Sequence, residues 1–303
     1  MFTLRQYLLA LLDSRGLTRT LGEIDVCRDE QGRPCFSAGN SAAVFRIRLG
    51  GRIRSLRCYL RPMRHLKEIY GQRLLEKELY LHTSPETGVW VDTVLGDWIE
   101  GSTLHETVAQ AAALRDRESL QILVRLFDRL ALALVTDDRA HGDLKPENII
   151  VGDDGTLCPI DFDASYLPAF AGEISPELGT AAYQHPARTA ADFDERIDDY
   201  PAALISTALH ALAEDPTLWD RYGSSDGLLY TPQRIASDPA YRETLALFEK
   251  RGMAVQYRIA QLLTAPTLRL FGLAELLAEA VREKPAARSG TEAETPELFV
   301  ENG

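Results

Sequence analysis

His141-Gly142-Asp143-Leu144-Lys145-Pro146-Glu147-Asn148 runs straight into Ile149-Ile150-Val151, and a little further on comes Ile160-Asp161-Phe162-Asp163. The first run places an acid, a lysine two positions later and an asparagine five positions later on a loop that enters an apolar, strand-like stretch. A second short strand then ends on another acid, Asp161. Phosphoryl transfer needs this set of parts: a carboxylate to orient the attacking hydroxyl, a cation on the transferring group, and hard oxygen ligands for magnesium. Asp and Asn also sit in turns for backbone reasons, so any one of these residues alone would carry little. The four at these spacings carry the reading.

The stretch resembles the catalytic loop and metal-binding turn of protein kinases, H-R-D-L-K-P-E-N and D-F-G, with all but one of its eight loop positions matching. The resemblance implies an α+β, bilobal protein kinase-like fold. Residues 1–100 would form a lobe with an N-terminal helix, a small antiparallel sheet carrying the glycine loop, and one further helix. Residues 101–287 would form a larger, mainly helical lobe with the catalytic loop and activation segment. ATP would lie between them. In this reading Asp143 orients the substrate hydroxyl and accepts its proton, and Lys145 neutralises the transferring phosphoryl. Asn148 and Asp161 hold magnesium, Ile150 floors the adenine site, and His141 braces the loop.

Composition is compatible with this and excludes other classes. The chain has 303 residues, 45% hydrophobic, enough for a substantial core. Lys+Arg of 33 against Asp+Glu of 45 gives a net charge of −12, which argues against nucleic-acid or anionic-membrane partners. Cys27, Cys35, Cys58 and Cys158 show no C-x-x-C spacing, so reduced thiols in a cytoplasmic protein are expected rather than zinc or a disulfide framework. The opening apolar run, Met1 to Leu12, is too short to span a bilayer. With Leu4, Leu8 and Leu11 at helical spacing, it reads as an amphipathic helix docked on the first lobe.

In the first lobe, turns are expected at Asp29–Gly32 and Gly50-Gly51. Between them, Ser37-Ala38-Gly39-Asn40-Ser41-Ala42-Ala43-Val44 aligns with the kinase G-x-G-x-x-G-x-V hairpin, keeping Gly39 and Val44 but only one of the three glycines. Ser55-Leu56-Arg57 stands where the phosphate-contacting lysine belongs. Arg57 keeps the charge with a different donor geometry. A helix from about Pro62 should carry its carboxylate partner: Glu68, or in reserve Glu76. The arginines that alternate with Phe45, Ile47, Leu49 and Ile53 read as mostly solvated strand faces. Asp97-Trp98-Ile99-Glu100 corresponds to the hinge, with Asp97 and Ile99 against the adenine and Gly96 leaving the back of the pocket open.

Thr103-Leu104-His105-Glu106 fits a helix-starting capping box. Leu120, Leu123, Phe127, Leu130 and Leu134 then mark a long buried helix leading to the catalytic loop. Gly142 replaces the arginine that receives a phosphorylated activation segment in many kinases, and Asp163 replaces the last glycine of D-F-G; both point to a site set in one state. Gly179-Thr180-Ala181-Ala182-Tyr183-Gln184-His185-Pro186 resembles the G-T-x-x-Y-x-x-P end of the activation segment, and Thr180 should bond Asp143 and Lys145. Ala187 replaces the glutamate that follows, and Asp198 matches the acid anchoring the catalytic loop's backbone. Helices are expected after Asp198 and over 241–250, 254–263 and 273–281. The polar, acidic stretch Arg288 to Gly303 reads as a disordered tail.

Three functions fit. The first is an ATP- and magnesium-dependent Ser/Thr-type protein kinase acting on a protein substrate. The second is a pseudokinase, favoured by Arg57, the thinned glycine loop and Asp163. The third is a small-molecule kinase of the aminoglycoside or choline type, against which stand Lys145 and the Gly179-to-Pro186 segment. The sequence names neither the substrate nor an oligomeric state.

Overall fold

The computed structural model describes residues 1–282. The expected tail, 288–303, lies outside the described residues. The chain divides into two compact units, one ending at Ile99 and one beginning at Glu100. The first is a curled antiparallel sheet and the second is mainly helical, the α+β architecture expected of a bilobal kinase-like fold.

The first unit opens with α1 (Leu4–Leu12), started by a capping box in which Thr3 and Gln6 bond reciprocally. Strands β1 (Asp25–Val26), β2 (Phe36–Ala38), β3 (Ala42–Leu49) and β4 (Arg52–Tyr59) follow, then α2 (Leu66–Tyr70), β5 (Leu74–His82) and β6 (Gly88–Asp97). Their order in the sheet is β1-β3-β4-β6-β5, with β2 also paired to β3. Strand alternation decides the faces. Ala43, Phe45, Ile47, Leu56 and Cys58 turn inward with Tyr7, Ala10 and Leu11 of α1, while Leu4 and Leu8 pack at the edge of that cluster. The Tyr7 hydroxyl donates to the Tyr59 carbonyl at 2.6 Å, which pins the helix to β4.

The helix expected from about Pro62 is much shorter than the resemblance implies. It starts at Leu66, after His65 in a left-handed conformation, and stops where Gly71 turns the chain. With barely more than one turn it buries Tyr70 alone, and Glu68 is left exposed.

The second unit begins with β7 (Gly101–Thr103), α3 (Leu104–Ala113) and α4 (Arg117–Thr136). Thr103 and Glu106 form the capping box read from the sequence. On α4 the stripe Leu120, Leu123, Phe127, Leu130 and Leu134 is buried, each such side chain contributing about 1.5–3 kcal/mol relative to exposure. Next come β8 (Ile149–Gly152) and β9 (Leu157–Pro159), which form a three-stranded sheet with β7. Helices α5 (Asp199–Glu214), α6 (Leu218–Tyr222), α7 (Pro239–Arg251), α8 (Ala254–Leu262) and α9 (Leu273–Arg282) complete the unit.

Helix α5 is buried on almost every side, which explains why its sequence is apolar all round. It is tied to α4 by a buried carboxylate: Asp128 accepts from Ser206 Oγ at 2.6 Å and contacts His210 Nε2 at 2.8 Å. Among the described residues no helix is long and apolar enough to cross a membrane.

Candidate active site

The loop from His141 to Asn148 is held from beneath by one acid. Asp198, wholly buried just before α5, accepts the backbone N–H of His141 at 2.5 Å and of Gly142 at 3.0 Å. Burial pushes its carboxyl up, opposed by His141, by these two amides and by Arg188. Arg188 grips the same turn from the other side, donating from Nη1 to the Gly142 carbonyl at 3.0 Å and to Gln184 Oε1. Burial lowers the Arg188 guanidinium, and Asp198 and Asp143 oppose that shift. Sequence reading missed Arg188. The signal was there, since it directly follows the Pro186-Ala187 pair where the family pattern breaks.

Gly142 has φ +80°, and a Cβ there would stand 2.0 Å from the Ala164 carbonyl oxygen. No side chain fits, so the arginine of the family pattern has no space in this loop. His141, fully buried, connects the acid to the second strand: Nδ1 accepts the Asp143 N–H at 3.3 Å and Nε2 lies 2.8 Å from the Ile160 carbonyl. With the first nitrogen accepting, the second carries the proton. The ring also lies 5.0 Å from that of Phe162. His141 is therefore a brace.

The structure brings Asp143, Lys145, Asn148 and Thr180 together. Asn148 Nδ2 donates to the Asp143 carbonyl at 2.9 Å and to its carboxylate at 3.2 Å. Lys145 Nζ lies 3.5 Å from Asp143 Oδ2 and donates to Thr180 Oγ1 at 2.9 Å. Thr180 meets the acid through its backbone, N–H to Asp143 Oδ1 at 2.5 Å, and the lysine through its hydroxyl. Gly179 makes this approach possible: it has φ +70°, and a Cβ would come within 3.0 Å of Asp143 Oδ1 and 2.8 Å of the Gly142 carbonyl.

Asn148 and Asp161 offer oxygen ligands of the kind a hard cation takes. Asn148 commits its nitrogen to Asp143, which leaves its oxygen as the available ligand atom. Asp161 follows β9, whose neighbour Ile160 donates to the Asn148 carbonyl at 2.9 Å, and it holds a left-handed φ of +70°. That conformation is costly for a residue other than glycine and persists only where the surroundings impose it. Magnesium is usually held by one or two carboxylates plus phosphate oxygens and water. Asp161 and Asn148 could supply the protein's share. Ile150 lies on the face of β8 opposite buried Ile149 and is half-exposed.

In the first unit, Arg57 lies in register with Val44 on one side and Val94 on the other, so the three share a face. Gly39 caps the β2–β3 hairpin, its N–H donating to the Ala42 carbonyl at 2.9 Å. Its backbone does not need glycine, and an added Cβ would meet only the Ala42 oxygen at 4.0 Å. Glu68 makes no hydrogen bond or ion pair among the described residues, and Glu76 is exposed and pairs with Lys67 at 3.6 Å. Neither serves Arg57, because α2 is too short to present Glu68 inward. Asp97 is fastened at the end of β6, its carboxylate 2.9 Å from Arg54 and its carbonyl accepting from Ser55 Oγ at 3.0 Å. A Cβ on Gly96 would stand 2.8 Å from that same Oγ, which gives the glycine a packing reason. Arg46 lies over the ring of Trp98, and Ile99 is partly exposed.

No family model matches the chain. It is 28% identical over 172 residues to CBL-interacting protein kinase 17 of Oryza sativa subsp. japonica, a match covering 54% of this chain and 35% of that protein. It is 34% identical over 113 residues to the serine/threonine-protein kinase PknL of Mycobacterium tuberculosis, covering 35% of this chain and 27% of that protein. Both relatives are named as protein kinases. The chain spans between about a quarter and about a third of the length of these curated relatives.

Proposed function

We propose that this chain transfers the terminal phosphoryl group of ATP, with magnesium, to serine or threonine hydroxyls of a protein substrate. One observation carries the proposal. Thr180 contacts both Asp143 and Lys145, tying the 179–186 segment to the acid and the cation. In the Ser/Thr protein kinases that this segment resembles, a threonine makes the same two contacts. The similarity to proteins named as kinases supports the same reading.

In this reading the Asp143 carboxylate takes the proton of the attacking hydroxyl, and Lys145 balances charge on the transferring group. Asn148 and Asp161 would hold magnesium, which would supply charge neutralisation at the phosphates. Arg57 contacts the phosphates. A second reading, nucleotide binding without transfer, draws on the departures from the family pattern: Arg57 stands at the lysine position, Gly39 alone remains of the three glycines, and Asp163 replaces the last glycine of D-F-G.

The deciding experiment is calorimetric titration of ATP with and without magnesium, followed by labelled ATP with a generic basic protein. Magnesium-dependent binding with label on serine or threonine is expected. Binding without transfer, to protein or to any member of a metabolite panel, would favour the second reading. Absence of binding would overturn both.

A further inference from the structure

The edge strand beside β3 is interrupted. Val26 pairs with Ile47 and Phe36 pairs with Phe45, so a single β3 residue, Arg46, separates two partners ten positions apart in sequence. The intervening chain is extruded as a small hairpin. Arg28 bridges Pro34, Asp29 N–H donates to the Arg33 carbonyl at 2.9 Å, and Arg33 is paired with the Asp29 carboxylate at 2.8 Å.

The neck of this hairpin is Cys27 and Cys35. Cys35 N–H donates to the Cys27 carbonyl at 2.8 Å, Cys27 N–H donates to Arg46 at 2.9 Å, and Arg46 N–H donates to the Cys35 carbonyl at 3.0 Å. The Arg28–Pro34 bridge fixes the register, so Cys27 and Cys35 are directly opposed and their side chains leave the same face. Directly opposed residues of antiparallel strands stand about 4.5–5.5 Å apart between Cα atoms, inside the roughly 4.4–6.8 Å that a disulfide spans. Both cysteines are free thiols with partial exposure, whereas Cys58 is buried in the sheet core.

We propose that Cys27 and Cys35 form a reversible disulfide under peroxide, closing the neck of the extruded hairpin. One thiolate attacks a peroxide oxygen, the O–O bond breaks, and a sulfenic acid and a hydroxide result. The second thiolate displaces hydroxide from that sulfur, and the two hydroxides take up the two protons that the thiols released, giving two waters. Two thiols are oxidised by two electrons and one peroxide is reduced; a dithiol reverses the reaction. Chain closure favours this pair, because the ladder already holds the two sulfur-bearing residues opposite one another. Cys35 leads directly into β2 and the Gly39 turn, so the link stiffens the hairpin that carries Gly39 and Val44. Its effect on nucleotide affinity rests on the kinase reading. The link itself does not.

The test uses the full chain, reduced, then treated with hydrogen peroxide and digested with trypsin. Because Arg33 precedes Pro34, trypsin leaves residues 29–46 as one peptide, and the expected product is that peptide joined to residues 20–28. Two of the four thiols should be lost in a denaturing thiol titration and restored by dithiothreitol, and Cys35→Ser should abolish the link. Stepwise over-oxidation of separate cysteines, or a link using Cys58 or Cys158, would overturn the proposal. ATP titration of the two redox states should show a several-fold difference in affinity. Equal affinities would overturn the regulatory consequence, while lack of ATP binding in both states would count against the kinase reading and leave the mapped link standing.

Discussion

Lys145 Nζ donates to Thr180 Oγ1 at 2.9 Å, across 35 positions of sequence, while the backbone of the same threonine donates to Asp143. The threonine thus divides its two donor–acceptor groups between the acid and the cation. Valine at 180 would keep the backbone bond and remove the hydroxyl. A hydrogen bond to a charged group is worth about 1.5–3 kcal/mol, so Thr180→Val should slow transfer roughly ten- to a hundredfold, and Lys145→Met, which also removes the charge, at least as much. Measured as a double-mutant cycle, the double variant should be little worse than the poorer single one, and Thr180→Ser should retain most activity. Strictly additive losses would show that the hydroxyl acts independently of the lysine.

Asp143, the proposed acceptor of the incoming hydroxyl's proton, is held by Asn148, Lys145 and Thr180. Asp143→Ala should lower transfer by about 10²–10⁴-fold while ATP binding persists. The check is single-turnover transfer beside calorimetric binding. Retained turnover would remove Asp143 from the chemistry.

Arg57→Lys should leave transfer level or raise it, because the point charge of lysine suits a phosphate contact on a strand face flanked by Val44 and Val94. Steady-state rates at saturating ATP measure this. A sharp fall would mean that the site is built around the guanidinium.

Gly142→Ala should destabilise the second unit. The left-handed backbone adds about 1–3 kcal/mol of strain for a residue with a side chain, and the Ala164 carbonyl, 2.0 Å from the new Cβ, must also move. Urea denaturation should give a lower midpoint and transfer should fall. For the same reason Gly142→Arg should not confer control by segment phosphorylation. An alanine variant as stable as the parent would contradict the packing described here.

Asp199 is buried beside Asp198 and accepts the Leu270 N–H at 3.1 Å; burial pushes its carboxyl up to about 7. Between about pH 4 and 7 the folded chain holds a proton that the unfolded chain has released. This group therefore subtracts stability as pH rises through that window, by up to roughly 1.4 kcal/mol per pH unit. Asp199→Asn keeps an acceptor for Leu270 and removes the titration. Relative to the parent, its urea midpoint should rise with pH from 4 to 7 and level off above. Parallel pH profiles for the two proteins would refute the assignment.

Local patterns were the legible part of this molecule. Thr3 and Thr103 each precede a helix by the capping-box spacing, and the leucines of α4 fall on one face, because caps and periodicity depend on neighbours within a turn or two. The acid, lysine and asparagine of the loop lie within six residues, so their convergence was readable as well. The helix bearing Glu68 was misjudged, since its length is decided by the turns at His65 and Gly71 and by the one residue, Tyr70, that it can bury.

The sequence by itself determined the α+β division and which acid, lysine and asparagine share the 141–148 loop, because both are written in short-range pattern. Only the tertiary structure decided how those groups are held. It placed Arg188 opposite Asp198 on the Gly142 turn, gave Thr180 its two partners, and set Cys27 against Cys35 across an extruded hairpin. Each of these contacts joins segments whose approach depends on packing and strand register, and no local spacing encodes that approach.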